Sequence, residues 1–289
     1  MPTDWDARAY HAVSALQKWL ADEALAGFHL EGGERVLDVG CGDGSISAEI
    51  AARVPRGSVL GIDASASMID AARARVARDA RPNLSFEVGD ARELGFRDEF
   101  DVVVSFNALH WVTDLGSALS SIHAALRPGG RVLLQLVPRT DRVSIEDVIE
   151  RTRRTERWRR RFIGQHAPFV HPTADEMRAS VRRHHFEIDR LDVHLRAWDF
   201  GSRRAFAAFA NATFVEWTRS LPSSEVDAFV DDVLDGYGRT LHLPSEAVRT
   251  FHFDQLRIVA RRRDERKSTS STGIDPMRDG STRSARNDS

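Results

Sequence analysis

Cysteine is almost missing from this chain. Cys41 stands alone, so neither an intrachain disulfide nor a cysteine-based metal site can form, and no metal is expected. Lysine is nearly as scarce: only Lys18 and Lys267 are lysine, and the other 39 basic residues are arginine. That skew reads as compositional bias rather than phosphate recognition. No apolar run approaches the roughly 18 residues that a bilayer span requires. An excess of one charge is also lacking. The formal net charge is −2, which offers no basic footprint for nucleic acid or a membrane surface. Residues 1–10 are acidic and aromatic, unlike a signal peptide, so a cytoplasmic location is expected. What remains is ample for a core: 289 residues, 42% hydrophobic, enough for one large domain or a domain with a subdomain.

Apolar side chains recur at helical spacing over 7–26 (Val13, Leu16, Leu20, Leu25), predicting a first helix. Short apolar strands are predicted over 35–39, 58–62, 84–88, 100–106 and 131–137, with helices over 45–54, 67–80 and 115–126 between them. The run Val102-Val103-Val104 suits a strand covered on both faces, as in parallel sheets. Five strand-and-helix alternations in about 140 residues are the pattern of a doubly wound α/β sheet. After Pro138 the pattern changes. A very basic helix is predicted over 144–161, strands over 186–196 and 250–260, and helices over 202–220 and 223–241. Ten of the fifteen phenylalanines lie beyond residue 160, so this half supplies its own aromatic core and rings for an apolar pocket. From about residue 263 the composition is polar and cannot bury apolar surface, which predicts a disordered tail.

The strongest chemical signal is Val36-Leu37-Asp38-Val39-Gly40-Cys41-Gly42-Asp43-Gly44. A glycine-rich loop after a first strand admits a ligand to bare backbone, and the next helix offers free N–H groups. The dinucleotide fingerprint G-x-G-x-x-G is not met, because the third glycine, Gly44, comes one position early. Asp38 and Asp43 flank the loop and would repel a pyrophosphate. A ligand carrying an ammonium and a sulfonium, with no phosphate, suits the loop better, which points to S-adenosylmethionine (SAM) rather than NAD. Asp63 ends the second strand, where an acid accepts hydrogen bonds from ribose hydroxyls; a helix cap is the competing role. Asp90, in Gly89-Asp90-Ala91, is placed to accept from an adenine amino group or merely to shape a turn.

The ordered set of 36–44, Gly61-Ile62-Asp63, Gly89-Asp90-Ala91, Phe100-Asp101-Val102-Val103 and Leu126-Arg127-Pro128-Gly129-Gly130 resembles class I SAM-dependent methyltransferases over about residues 8–137. Within that class, Tyr10, Ser14 and Gln17 together with Asn107-Ala108-Leu109-His110-Trp111-Val112 resemble the trans-aconitate and juvenile hormone acid methyltransferase group, whose members esterify small carboxylic acids. The resemblance implies a Rossmann-like α/β sheet, mostly parallel with its last strand antiparallel, carrying helical cap insertions. It implies one domain over 1–265, with a lid at about 5–28, caps at about 139–185 and 199–245, and a tail over 266–289. It implies SAM as cofactor and S-adenosylhomocysteine (SAH) as product, held by Tyr10, Asp38, Gly40, Cys41, Gly42, Asp63, Ala64, Met68, Asp90, Ala91 and Asn107. It also places Gln17 and Trp111 against an acceptor carboxylate.

A carboxylate is already ionised at pH 7 and needs no base, only donors, desolvation and alignment. The rival acceptor chemistry makes His110 a general base for a hydroxyl, amine or carbon acceptor. A SAM-binding protein without turnover, or an RNA-modifying enzyme using the arginines of 151–161 with Trp158 as a stacking ring, are further readings. The arginines spread around the helix, and the acidic net charge favours a solvated helix and a small-molecule partner, with no nucleic acid or membrane. A monomer or homodimer is expected.

Overall fold

The computed structural model describes residues 15–79 and 81–263. Tyr10, Ser14, the start of the first helix and the tail over 266–289 lie outside the described residues.

Seven strands form one sheet in the order β3-β2-β1-β4-β5-β7-β6. They are β1 (Arg35–Val39), β2 (Ser58–Asp63), β3 (Leu84–Val88), β4 (Phe100–Phe106), β5 (Leu126–Leu136), β6 (Phe186–Asp199) and β7 (Thr250–Arg262). The first five pair in parallel. The last strand, β7, runs antiparallel between β5 and β6. The apolar run of β4 shows why the sheet is covered twice. Val103 enters the core on one face, while Val102 and Val104 enter the core on the other, as the alternation of a strand demands. The helices between these strands are α2 (Ser45–Arg53), α3 (Ala66–Asp79) and α4 (Leu115–Ala125).

Helix α1 (Ala15–Ala26) is shared between layers. Leu16 and Leu20 pack into an aromatic cap, whereas Ala21, Ala24 and Leu25 pack on the sheet. The cap is built from α5 (Ile145–Thr152), α7 (Arg203–Thr213), α8 (Val215–Thr218) and α9 (Ser223–Thr240). Its core gathers Trp158, Phe206, Trp217, Phe229, Tyr237 and Phe251.

Three expectations are corrected. The basic helix predicted over 144–161 ends at Thr152. Its end is dictated by Arg153, whose side chain turns inward to the Glu150 carboxylate (2.7 Å) and the Gln165 carbonyl (2.6 Å). The following arginines fold as turns that pin this segment to α9, through Arg157–Asp232 and Arg161–Glu225. Trp158 is buried and donates its indole N–H to Asp232 (2.6 Å), so it offers no face for a base to stack on. The helix predicted over 202–220 is broken at Phe214 into α7 and α8. A further helix, α6 (Ala174–Arg183), was not predicted; a capping box between Thr173 and Glu176 starts it.

Candidate active site

The carboxyl ends of β1, β2, β3 and β4 converge where the chain order reverses between β1 and β4, the place where open α/β sheets bind ligands. A cleft there is lined by Gly40, Gly42, Asp63, Ala64, Met68, Asp90, Ala91, Asn107 and Trp111, among others. Nine of the residues singled out from the sequence are thus brought together.

The loop after β1 explains the glycines. Gly40 has φ +76°, and a Cβ on it would lie 2.1 Å from that of Ala108, so the loop and the segment after β4 meet through bare backbone. The Gly40 and Cys41 N–H groups both donate to the Ile62 carbonyl. Asp63 ties the loop to β2: one carboxylate oxygen accepts from the Gly42 N–H (2.9 Å), the other from the Ser65 N–H (2.9 Å). Ser65, rather than Asp63, caps α3, its hydroxyl accepting from the Met68 N–H. Burial pushes the Asp63 carboxyl up, and those N–H groups pull it back only in part.

Asp38, at the end of β1, and Cys41, within the loop, are buried and do not line the cleft. Asp38 is buried; one oxygen accepts from the Ser47 hydroxyl (2.6 Å) and the other has no partner among the described residues. Burial pushes its carboxyl up to about 7, assisted by the charge of Asp63. Burial likewise raises the Cys41 thiol, which excludes it as a thiolate nucleophile. Asp43, at the far side of the loop, is ion-paired with Arg75 (2.9 Å). Asp90 is clasped by Arg92, which holds its carboxyl below the usual range. An orphaned acid at the β1 end and an acid at the β2 end fit a cationic ligand that approaches through glycine backbone.

A second chamber adjoins the cleft, and Asn107 and Trp111 line both. Asn107 has φ +54° and accepts from the Gln255 amide (3.2 Å), turning the chain out of β4 into the short 3₁₀ turn Leu109–Trp111. The turn delivers His110 and Trp111 to the chamber, and α1 brings Gln17 from the opposite side. Gln17 Oε1 is buried without a partner among the described residues. Trp111 stands edge-on to Trp217, with ring centroids 5.5 Å apart. Burial, with His171 nearby, pushes the His110 imidazole down to about 3. It is therefore neutral at pH 7 and a poor proton acceptor, which weakens its claim as a general base.

The sequence reading missed Glu146. It is buried in the chamber wall beside Phe209, Phe214, Phe251 and Phe253, and burial pushes its carboxyl up to about 7. Its place in the first turn of a helix disguised it, because acids there are common as helix-dipole partners. The available signal was its register, one turn ahead of Ile149 on the apolar face. Glu216, on α8, reaches the cofactor cleft and was also missed.

The sheet order, the glycine loop and the acid ending β2 define a Rossmann-like class I methyltransferase fold. Residues 36–130 match the family described as methyltransferase domain, and the chain carries a class I SAM-dependent methyltransferase domain, whose cofactor is SAM. It is 34% identical over 140 residues to a trans-aconitate 2-methyltransferase of Deinococcus radiodurans, covering 48% of this chain and 52% of the relative. It is 38% identical over 120 residues to a demethylmenaquinone methyltransferase of Symbiobacterium thermophilum, covering 40% and 47%. The chain spans about half the length of these curated relatives. Among solved structures, an N-methyltransferase of Haemonchus contortus, determined with phosphomonomethylethanolamine and SAH, shares the fold at TM-score 0.57 and 17% identity, covering 89% of this chain and 57% of that one.

Proposed function

We propose that the protein transfers the methyl group of SAM to a small-molecule acceptor held in the aromatic chamber. The observation that carries this is the shared wall: Asn107 and Trp111 line both the cleft and the chamber, so an acceptor in one faces a methyl donor in the other. In this reading Gly40, Gly42, Asp63, Ala64 and Met68 hold the cofactor, Asp90 and Ala91 its adenine end, and Asp38 and Cys41 support the loop. SAM supplies an electrophilic methyl. The protein aligns the acceptor and excludes water, which is where most of the acceleration in such a displacement arises.

Esterification of a carboxylate is the acceptor chemistry that the trans-aconitate relatives support. Gln17 and Trp111 carry the amide and indole donors that a carboxylate requires. A specific observation favours an acceptor that loses a proton instead: the chamber wall contains an acid, Glu146. Calorimetry tests the core of the proposal. SAM and SAH should bind while NAD does not, and Asp63→Ala should weaken SAM by about 1–3 kcal/mol with the fold intact, through loss of charge-assisted hydrogen bonds. Binding of NAD without SAM would refute it.

A further inference from the structure

Resting on the proposed transfer into the aromatic chamber, we infer that Glu146 is the proton acceptor of the reaction and that the acceptor molecule presents a hydroxyl or an amine next to it.

The chamber is walled chiefly by rings and aliphatic side chains, and a buried acid is costly in such surroundings unless it has a partner. Glu146 is buried there, on the first turn of α5. The groups that bear on it come from several elements. On its own segment are its own backbone N–H and the Ser144 hydroxyl, which stabilise its charge, and Asp147, which opposes it. From α9, the phenol of Tyr237 feels its charge, as it does that of Arg142, and donates to the His252 carbonyl. From beyond β4, His110 lines the same chamber and is neutral. None of these neutralises Glu146 with a positive charge in contact. With its carboxyl pushed up to about 7, it changes protonation where a general base is most effective.

The step balances without a further reactant. The acceptor oxygen or nitrogen forms a bond to the methyl carbon. The methyl–sulfur bond breaks with its electron pair left on sulfur, giving neutral SAH. The acceptor's proton passes to the Glu146 carboxylate and then to water. An acceptor carboxylate has no proton to give and would meet the ionised Glu146 with like charge.

The experiment offers the full chain a panel of aryl-alkyl compounds, each as matched acid, alcohol and amine, phenylacetate, phenethyl alcohol and phenethylamine among them. Two readings are taken: product mass with SAM, and binding to the SAH complex by calorimetry. Alcohol or amine members should be methylated, with kcat rising as pH increases through about 7 and then levelling. At pH 8.5 the SAH complex should bind the amine at least 10-fold more tightly than the acid. Glu146→Gln should keep SAH affinity within twofold, lose that binding preference, lose kcat by about 100-fold or more and lose the acid limb. Glu146→Asp should recover part of the rate. Methyl esters from the acid members, or a Glu146→Gln enzyme with unchanged kcat and pH profile, would overturn the inference while leaving the proposed function standing. SAH binding with no panel member methylated or bound would remove the chamber as acceptor site, and both proposals with it.

Discussion

One oxygen of Asp38 rests on the Ser47 hydroxyl, the other is orphaned, and burial holds the carboxyl near 7. A raised carboxyl pKa means that the fold favours the neutral acid. Its contribution to stability is therefore present at low pH and is lost as pH rises from about 4 to about 7. Cofactor binding reverses the preference. With the cationic methionine end of SAM over the loop, the carboxylate is favoured, and a proton must leave on binding below pH 7. The SAM dissociation constant should then improve by up to about tenfold per pH unit between pH 5.5 and 7 and flatten above. Asp38→Asn should bind more weakly at pH 8 and show no such slope. Calorimetry across pH 5.5–8.5 reads both, and a flat profile in the unmodified protein would detach Asp38 from the cofactor.

At the level of elements, β1, β2, β3 and β4 were legible to within a residue, because β1, β2 and β3 are short runs closed by Gly40, Asp63 and Gly89, and β4 carries the apolar run Val102-Val103-Val104. The cap was harder. Helix α6 buries only Met177 and Val181, too few apolar positions to show a period, although Thr173-x-x-Glu176 marks its start. The arginine segment looked helical because arginine has high helix propensity, yet Arg153 folds inward and tertiary pairing with α9 wins. The site divides the same way. Apart from Glu216, the cleft residues belong to motifs contiguous in sequence, whereas the chamber is assembled from α1, the turn after β4, α5, α7, α8 and β7, and Glu146 is signalled only by its register with Ile149. The junction of the β1 loop with the turn after β4 is where one methyl group would be felt most. Gly40→Ala adds a left-handed penalty of about 1–2 kcal/mol, and drives the new Cβ into Ala108. It should lower the melting temperature and weaken SAH at least tenfold. Adding Ala108→Gly removes the collision and should restore part of the affinity; independent, additive losses in the double mutant would show that the contact is not what matters.

Across the whole molecule, the sheet and the cap have separate cores but share two continuous elements. On α1, Leu16 and Leu20 face the cap while Ala21, Ala24 and Leu25 face the sheet. On β7, Phe251 and Phe253 belong to the cap, and Leu256, Ile258 and Ala260 to the sheet. Neither core can lose its packing without exposing half of an element that the other needs, which supports reading the described residues as a single domain. The chain should therefore unfold in one calorimetric transition. SAH at 100 times its dissociation constant adds about 2.7 kcal/mol to the folded state, equivalent to a rise of about 5–10 °C for a domain near this size. The whole peak should move, because the cleft lies at the carboxyl ends of the strands and Trp111, in its wall, packs against Trp217 of the cap. Two resolved transitions, of which SAH moves only one, would mean that the cap melts on its own and that the acceptor chamber opens independently of the cofactor cleft.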